Sequence, residues 1–372
     1  MELNQCSGLN IKFTDETTLL SPVKNFIIAL PTPVSLHLVP DLSALEQAAT
    51  MLGGILKKDD VVVFESTVFP GATEELIIPI LERESRLKSG YEFYVGYSPE
   101  RFIPGSVEHG LNMDVKVISA QNEQALTRVK ELYEQGGFVR LYSVPSIKIA
   151  EACKLLENIQ RDVNIALMNE YAAVMSAMDI SIHDVLAAAK TKWNFLSFKP
   201  GLVGGHCISV DPYYLIYQAN KYGVSTNLIS TARQVNEQFI HFIADSLIKL
   251  LTNQGICIGH AKVVLAGISF KPNVSDTRHS LSIELYKLLE SYGIEVFALD
   301  PIAWRYGLDL NWVEWEDMPI SNAMLFIQDH DFFIEQGLTK LTQKLVKNAV
   351  FMDLPGVFSD HDRCSDFVYW GL

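Results

Sequence analysis

Short runs rich in Val, Ile and aromatic residues alternate along this chain with longer stretches whose apolar positions recur every three or four residues. "NFIIAL" (25–30), "DDVVVFEST" (59–67), "EFYVGYS" (92–98), "VKVIS" (115–119) and "FVRLYSV" (138–144) predict buried strands. Between them, "DLSALEQAATMLGGILKK" and "ATEELIIPILERESRLK" have helical spacing and an Asp or Thr near their starts. That alternation predicts a parallel sheet with crossover helices. From about Ile147 the pattern changes: "IKIAEACKLLENIQRDVNIALMNEYAAVMSAM" runs without Gly or Pro and reads as one long helix. "SIHDVLAAAK" and "STARQVNEQFIHFIADSLIKLLTNQ" continue in the same style. A second α/β pattern starts at "AKVVLAGISF" (261–270). It continues with helix "SLSIELYKLLESYG", strands "IEVFALDP" and "NAMLFIQ" (322–328), a helix near 337–347 and strand "NAVFMDLPG" (348–356). The predicted layout is α/β over 1–146, helical over 147–256 and a smaller doubly wound α/β unit over 257–372. Ligand sites are expected at the carboxyl ends of the two sheets.

The 372 residues exceed one ordinary core, in keeping with that division. Thirty basic against 44 acidic residues give a net charge of −14, which argues against nucleic acid or an anionic membrane as partner. A phosphorylated small molecule is still accommodated by a local cluster of Lys and Arg. The five cysteines (Cys6, Cys153, Cys207, Cys257 and Cys364) are odd in number and never form a C-x-x-C pair, so reduced thiols in a cytoplasm are expected. No run reaches membrane-spanning length, and the first residues carry no secretory signal pattern.

Candidate chemistry gathers where strands end. "ESTVFPG" offers Thr67 and "YSPERF" offers Glu100; taken alone, Thr67 reads sooner as a helix N-cap and Glu100 as a solvated loop residue. On the long helix Lys154, Asn158 and Arg161 stand at i, i+4 and i+7 and share a face, with Ile149, Cys153, Leu156 and Val163 expected to pack. A face bearing Lys, Asn and Arg suits an oxyanion or a carboxylate, although most polar stripes are wet surface. "PGLVGGHCISVDPYY" sets Cys207 after Gly-rich backbone and four residues before Asp211. A nucleophilic thiolate needs that openness and nearby donors. Zinc is the competing reading of "GHC", but no second Cys/His pair supplies four ligands, so no metal is expected. "GISFKPNVSDTRHS" follows a strand and precedes a helix, and its Lys271 and Arg278 can clamp a diphosphate, with Asp276 orienting Arg278.

In this order "LPTPV", "ESTVFPG", "YSPER", "KLLENIQRDVNIALMNE", "PGLVGGHCISVDPYY", "ARQVNE" and "FKPNVSDTR" resemble the UDP-glucose/UDP-N-acetylhexosamine 6-dehydrogenase family, from near Ile11 to the C-terminal region. The wording around Cys207 is closer to the bacterial N-acetylhexosamine branch. The resemblance implies two Rossmann-like domains joined by a long-helix domain, and an enzyme that oxidises the C6 alcohol of a UDP-sugar to a uronic acid for surface polysaccharide synthesis. NAD would take two hydrides. Cys207 would form a thioester, Lys154 and Asn158 would hold the oxyanion, Asp211 would assist proton transfer, Thr67 would position water and Glu100 would act in hydrolysis. Thr32, Pro33, Thr67 and Arg278 would contact NAD; Glu100, Arg161, Gly204, Arg233 and Lys271 would contact the UDP-sugar. The resemblance also implies a homodimer formed through the helical domain, with Arg233 reaching the neighbouring subunit's sugar.

Two departures stand out. His279-Ser280-Leu281 replaces the family's usual Glu-Ser-Pro. More consequentially, no G-x-G-x-x-G turn opens a strand–helix unit, and the first readable strand is "NIKFT". The expectation is a first Rossmann-like domain lacking its opening β-α-β unit, with "NFIIAL" left as an exposed edge and weak binding of NAD. The alternative reading is a truncated, non-catalytic remnant that binds UDP-sugar and dimerises.

Overall fold

The five apolar runs of the first α/β segment form one sheet in the computed structural model, which describes residues 11–101, 115–358 and 366–372. Strands β1 (Asn25–Ile28), β2 (Val61–Phe64), β3 (Tyr94–Tyr97), β4 (Lys116–Ala120) and β5 (Leu141–Ser143) lie side by side in chain order. β1, β2 and β3 run parallel, in register Phe26 to Val62 and Val62 to Val95. β4 is antiparallel to β3 and parallel to β5, a departure from the all-parallel expectation. The intervening sequence has no helical pattern, and an antiparallel pair needs no crossover helix. All four β2 residues are buried, as a central strand requires. Among the described residues β1 stands at the edge of the sheet, as expected for "NFIIAL": Phe26 is buried and Ile27 is 48% exposed. The "NIKFT" strand is not formed over 11–14, where Ile11 and Phe13 are exposed with no ladder partner among the described residues.

Helix α1 (Ser43–Gly53) ends at the Gly53-Gly54 pair, so "MLGG" closes the helix rather than lying within it. Helix α2 (Ile78–Ser85) follows a π-helical turn at Thr73–Ile77; Pro79 cannot donate to the carbonyl four residues back, which fits the widened turn before it. Helix α3 (Glu123–Gln135) starts at Asn122, whose side chain accepts the N–H of Ala125. It packs Ala125, Val129 and Tyr133 on Val61, Val63, Tyr94 and Ile118.

The long helix is confirmed as α4 (Ile147–Ala177) and is followed by α5 (Ile182–Ala189), α6 (His206–Lys221) and α7 (Asn227–Asn253). Two compact units result. One comprises Met1–Leu156 with Tyr213–Gln218; the other comprises Glu157–Pro212 with Ala219–Leu372. The second contains strands β6 (Lys262–Ala266), β7 (Glu295–Leu299), β8 (Ser321–Phe326), β9 (Leu345–Asp353) and β10 (Phe367–Gly371), with helices α8 (Leu281–Ser291) and α9 (Asp331–Thr342). Its sheet is parallel throughout, in the order β10-β9-β8-β6-β7. The order reverses at β6, so the crevice between the carboxyl ends of β6 and β8 is a topological switch point. Helix α9 begins six residues earlier than expected, and the segment read as its end is the start of β9. Phe333, fully buried against Phe326, fixes it there. Ala172 and Met175 of α4, Leu186 of α5 and Ile243, Leu247 and Leu251 of α7 share one core with Val263, Leu265, Leu325 and Val350 of the sheet.

Candidate active site

Helix α4 reverses the expected sidedness. Its buried positions include Glu151, Lys154, Leu155, Asn158, Ile159, Asp162, Ala166 and Asn169, spaced mostly three and four apart, whereas Ile149 and Leu156 face outward, Leu156 at 66% exposure. Lys154 and Asn158 are 6% and 9% exposed. Arg161, grouped with them by spacing, is exposed. Polar groups this deep persist only when hydrogen bonded, and each of them has partners in its own unit.

In the first unit the Lys154 ammonium donates to the Glu100 carbonyl at 2.7 Å. The Glu100 side chain itself is exposed. One turn before Lys154, Glu151 accepts the backbone N–H of Gly71 at 2.6 Å and of Thr73 at 3.0 Å, which holds the turn that follows Thr67. Gln218 donates to the Pro70 carbonyl at 2.8 Å, and the Thr32 hydroxyl donates to the Thr67 carbonyl at 2.8 Å. The Tyr214 hydroxyl reaches the carbonyls of Thr32 (2.8 Å) and Pro33 (3.2 Å). The segments after β1 and β2 are thus fixed at several points.

Burial pushes Glu151 above the ordinary glutamate range, outweighing the donors from Thr73 and Gly71 that favour the anion. A carboxyl raised on folding contributes stability that is complete below its unfolded pKa, about 4.3, and is lost as pH rises through the folded value. The stability advantage of the native chain over Glu151→Gln is therefore expected to be largest in acid and to shrink toward neutrality, as read from urea midpoints across that range.

In the second unit the Asn158 carboxamide donates to Oδ2 of Asp211, which is itself buried. Asp211 lies four residues after Cys207 on α6, and Cys207 is in the first turn of that helix, its side chain lying outside the described residues. Gly204 and Gly205 have a packing reason to be glycine. A Cβ on Gly204 would stand 2.8 Å from the His279 carbonyl oxygen, and one on Gly205, where φ is +89°, 2.8 Å from the Phe270 ring. Gly205 N–H also donates to His279 O at 3.1 Å.

Arg233 is 1% exposed. Its guanidinium donates to Asp162 Oδ1 at 2.5 Å rather than extending outward. Asn236 donates to the same carboxylate oxygen at 2.8 Å. Asn169 donates to Asn236 Oδ1 at 2.9 Å and to Gly201 O at 3.1 Å, and accepts the Gly201 N–H at 2.8 Å. This interior network anchors the backbone that leads to Cys207. Arg278 is exposed and paired through two nitrogens with Asp276, as the sequence suggested. That pairing, above all Arg278's hydrogen bonds, holds the Asp276 carboxyl below its usual range. Lys271 lies 5.6 Å from the centre of the Phe270 ring.

Glu151, Asp162, Asn169, Asn236 and Gln218 escaped the sequence reading. Their one signal was spacing: Glu151, Asp162 and Asn169 continue the Lys154/Asn158 face up and down α4.

Thr32 and Thr67 stand at the carboxyl ends of β1 and β2, tied together by the Thr32 hydroxyl, and with Pro33 they suit the reactive half of a dinucleotide. The sequence supplies no glycine-rich turn for the pyrophosphate. Among the described residues no group of acidic, His or Cys side chains is arranged to hold a metal, and no helix is long and apolar enough to cross a membrane.

Comparison with known proteins agrees with this organisation. Residues 3–136 match the NAD binding domain, 148–238 the central domain and 264–360 the UDP binding domain of the UDP-glucose/GDP-mannose dehydrogenase family. The chain is 39% identical to Protein CapL of Staphylococcus aureus, over 99% of this chain and 88% of that protein. It is 41% identical to the UDP-N-acetyl-D-glucosamine 6-dehydrogenase of Pseudomonas aeruginosa, over 81% of this chain and 71% of that one. Its fold superposes on the UDP-D-ManNAc dehydrogenase of Pyrococcus horikoshii with a TM-score of 0.85 at 28% identity, covering 96% of this chain and 83% of that structure. With its three segments matched in order, the chain belongs to the UDP-glucose/GDP-mannose dehydrogenase family and is an NAD-dependent dehydrogenase.

Proposed function

We propose that the chain oxidises the C6 alcohol of a UDP-N-acetylhexosamine to the uronic acid in the cytoplasm, for surface polysaccharide precursors. Residues 1–146 would serve NAD, 147–256 the reacting carbon and 257–372 the UDP. The observation that carries this reading is the buried Asn158–Asp211 hydrogen bond on the helix that bears Cys207. A carboxylate one turn from a thiol, held by a carboxamide, is what proton traffic at a thiol-bound carbon requires. Two NAD molecules bound in turn would each accept one hydride, the first from the C6 alcohol to give the aldehyde and the second from its thiol adduct.

On this reading the Cys207 thiolate adds to the aldehyde carbon, and the oxygen that takes the electron pair is stabilised by Lys154 and Asn158. Loss of hydride from that carbon leaves a thioester. Water positioned by Thr67 opens it with help from Glu100; Asp211 moves protons, and the thiolate departs to restore Cys207. Thr32, Pro33, Thr67 and Arg278 would meet the cofactor, Lys271 the diphosphate of the UDP-sugar, and Arg161 and Gly204 the approach of the sugar. A steady-state assay of NADH formation across UDP-hexoses tests the assignment. Turnover of an N-acetylated substrate supports it, and activity confined to UDP-glucose counts against it.

The outward apolar stripe of α4 (Leu167, Tyr171 and Val174), continued by Met178 just past its end and exposed throughout, supports a homodimer built on the central helices. Leu167→Asp combined with Val174→Asp is expected to give a monomer in sedimentation analysis while the far-UV spectrum is retained.

A further inference from the structure

The loops after β6, β7 and β8 converge on one buried carboxylate. Asp300 Oδ2 accepts the N–H of Ile268 at 2.8 Å, the N–H of Ser269 at 3.0 Å and Nε2 of His330 at 3.1 Å. Oδ1 accepts the N–H of Ile302 and of Ala303, each at 3.0 Å. Burial alone would push this carboxyl up, but the hydrogen bond from His330, with the Ser269 and Ile268 amides, holds it below the usual aspartate range. Ser269, Asp300 and His330 are all essentially inaccessible.

Serine, histidine and aspartate together suggest a hydrolytic triad, and the geometry excludes one. In a triad the serine and the aspartate address opposite ring nitrogens. Here both address Nε2, the Ser269 hydroxyl at 3.1 Å, while Nδ1 accepts the backbone N–H of Asn273 at 2.8 Å. Nδ1 is therefore unprotonated and Nε2 carries the hydrogen. No base is left for the hydroxyl.

What the cluster does is hold the loop that carries Lys271. Ser269 Oγ donates to the Lys271 carbonyl at 3.2 Å. On the far side Asn273, in the left-handed region at φ 58°, is pinned by His330 and accepts the N–H of Asp331 on its own Oδ1 at 2.9 Å. Lys271 thus lies between two points that both bond His330, at the switch point where an α/β sheet receives its ligand. We propose that His330, seated on Asp300, is a positioning residue that presents Lys271 to the diphosphate of the UDP-sugar. This rests on the assignment of Lys271 to the substrate made above.

The test is calorimetric titration of UDP into the full chain, with KM and kcat measured beside it. His330→Gln keeps a donor toward Asp300 but removes the acceptor for Asn273, and His330→Asn keeps that acceptor. His330→Gln is expected to weaken UDP binding by about tenfold, the scale of one ion-assisted contact. KM should rise in step and kcat stay within about twofold, while His330→Asn restores most of the affinity. In a Lys271→Ala background His330→Gln should cost little more, because the lysine it positions is gone. An undiminished affinity for UDP, or the same loss with and without Lys271, overturns the proposal. If His330→Gln does not fold, Ser269→Ala carries the same expectation at about threefold and the same overturning result. Wild-type protein that fails to bind UDP at all overturns the substrate assignment itself, and this inference with it.

Discussion

Cys207→Ser is expected to abolish net uronate formation, lowering kcat by at least about 10³-fold, as loss of the nucleophile does elsewhere. The hydroxyl of serine is far less ionised than a thiol near neutral pH, so neither addition to the aldehyde nor formation of an acyl intermediate proceeds at a useful rate. Binding of UDP should survive, because the diphosphate contact proposed for Lys271 belongs to a different loop. Rapid-quench analysis gives a second check. Wild-type protein stopped in acid during turnover should carry a covalent sugar adduct on the peptide containing Cys207, and the serine variant should carry none. A variant retaining more than a tenth of the wild-type rate would remove the thioester from the scheme.

Arg233→Leu should be the most destabilising substitution in the interior network. The guanidinium is the positive partner of Asp162, which is 0% exposed, and the aspartate is already pushed above its usual range by burial despite that partner. Removing one member of a buried ion pair costs about 3–5 kcal/mol, because the remaining charge is left in a poor solvent. Against total stabilities of about 5–15 kcal/mol this is a large fraction, and a fall in Tm of roughly ten degrees is expected by calorimetry. Adding Asp162→Asn should return part of the loss, since Asn236 can still donate to the new amide oxygen. If the double variant is no more stable than Arg233→Leu, the loss arises from repacking and not from the stranded carboxylate.

Strand and helix identities were legible where patterning and burial agree. β2 reads as a run of four apolar residues and is buried at every one, and α4 reads as a helix because nothing interrupts it. Which side of α4 faces inward was not legible, since hydrophobic period finds the core only when apolar residues fill it. Here the interior holds Glu151, Lys154, Asn158, Asp162 and Asn169, and their partners (Gly71, Thr73, Glu100, Asp211, Arg233 and Asn236) lie far away in sequence. The "NIKFT" strand, absent over 11–14, failed for a related reason: alternating apolar and polar residues predict an extended segment but not a neighbour to pair with it. β10 went unread because "FVYWG" is short and only half-buried. The motif residues fared better, since Asn158 meets Asp211 and Asp276 meets Arg278. The supports around them, Glu151 behind Thr67 and His330 behind Lys271, bond backbone amides, which leave no mark in a linear pattern.

Asp300 has a consequence for how this end of the second sheet opens. Its two oxygens serve amides from two connecting segments and an imidazole from a third. No one segment can peel away without withdrawing donors from an anion that water does not reach. Partial fraying is therefore suppressed, and the three segments should unzip as a single cooperative event, far rarer than the breathing of an ordinary surface turn.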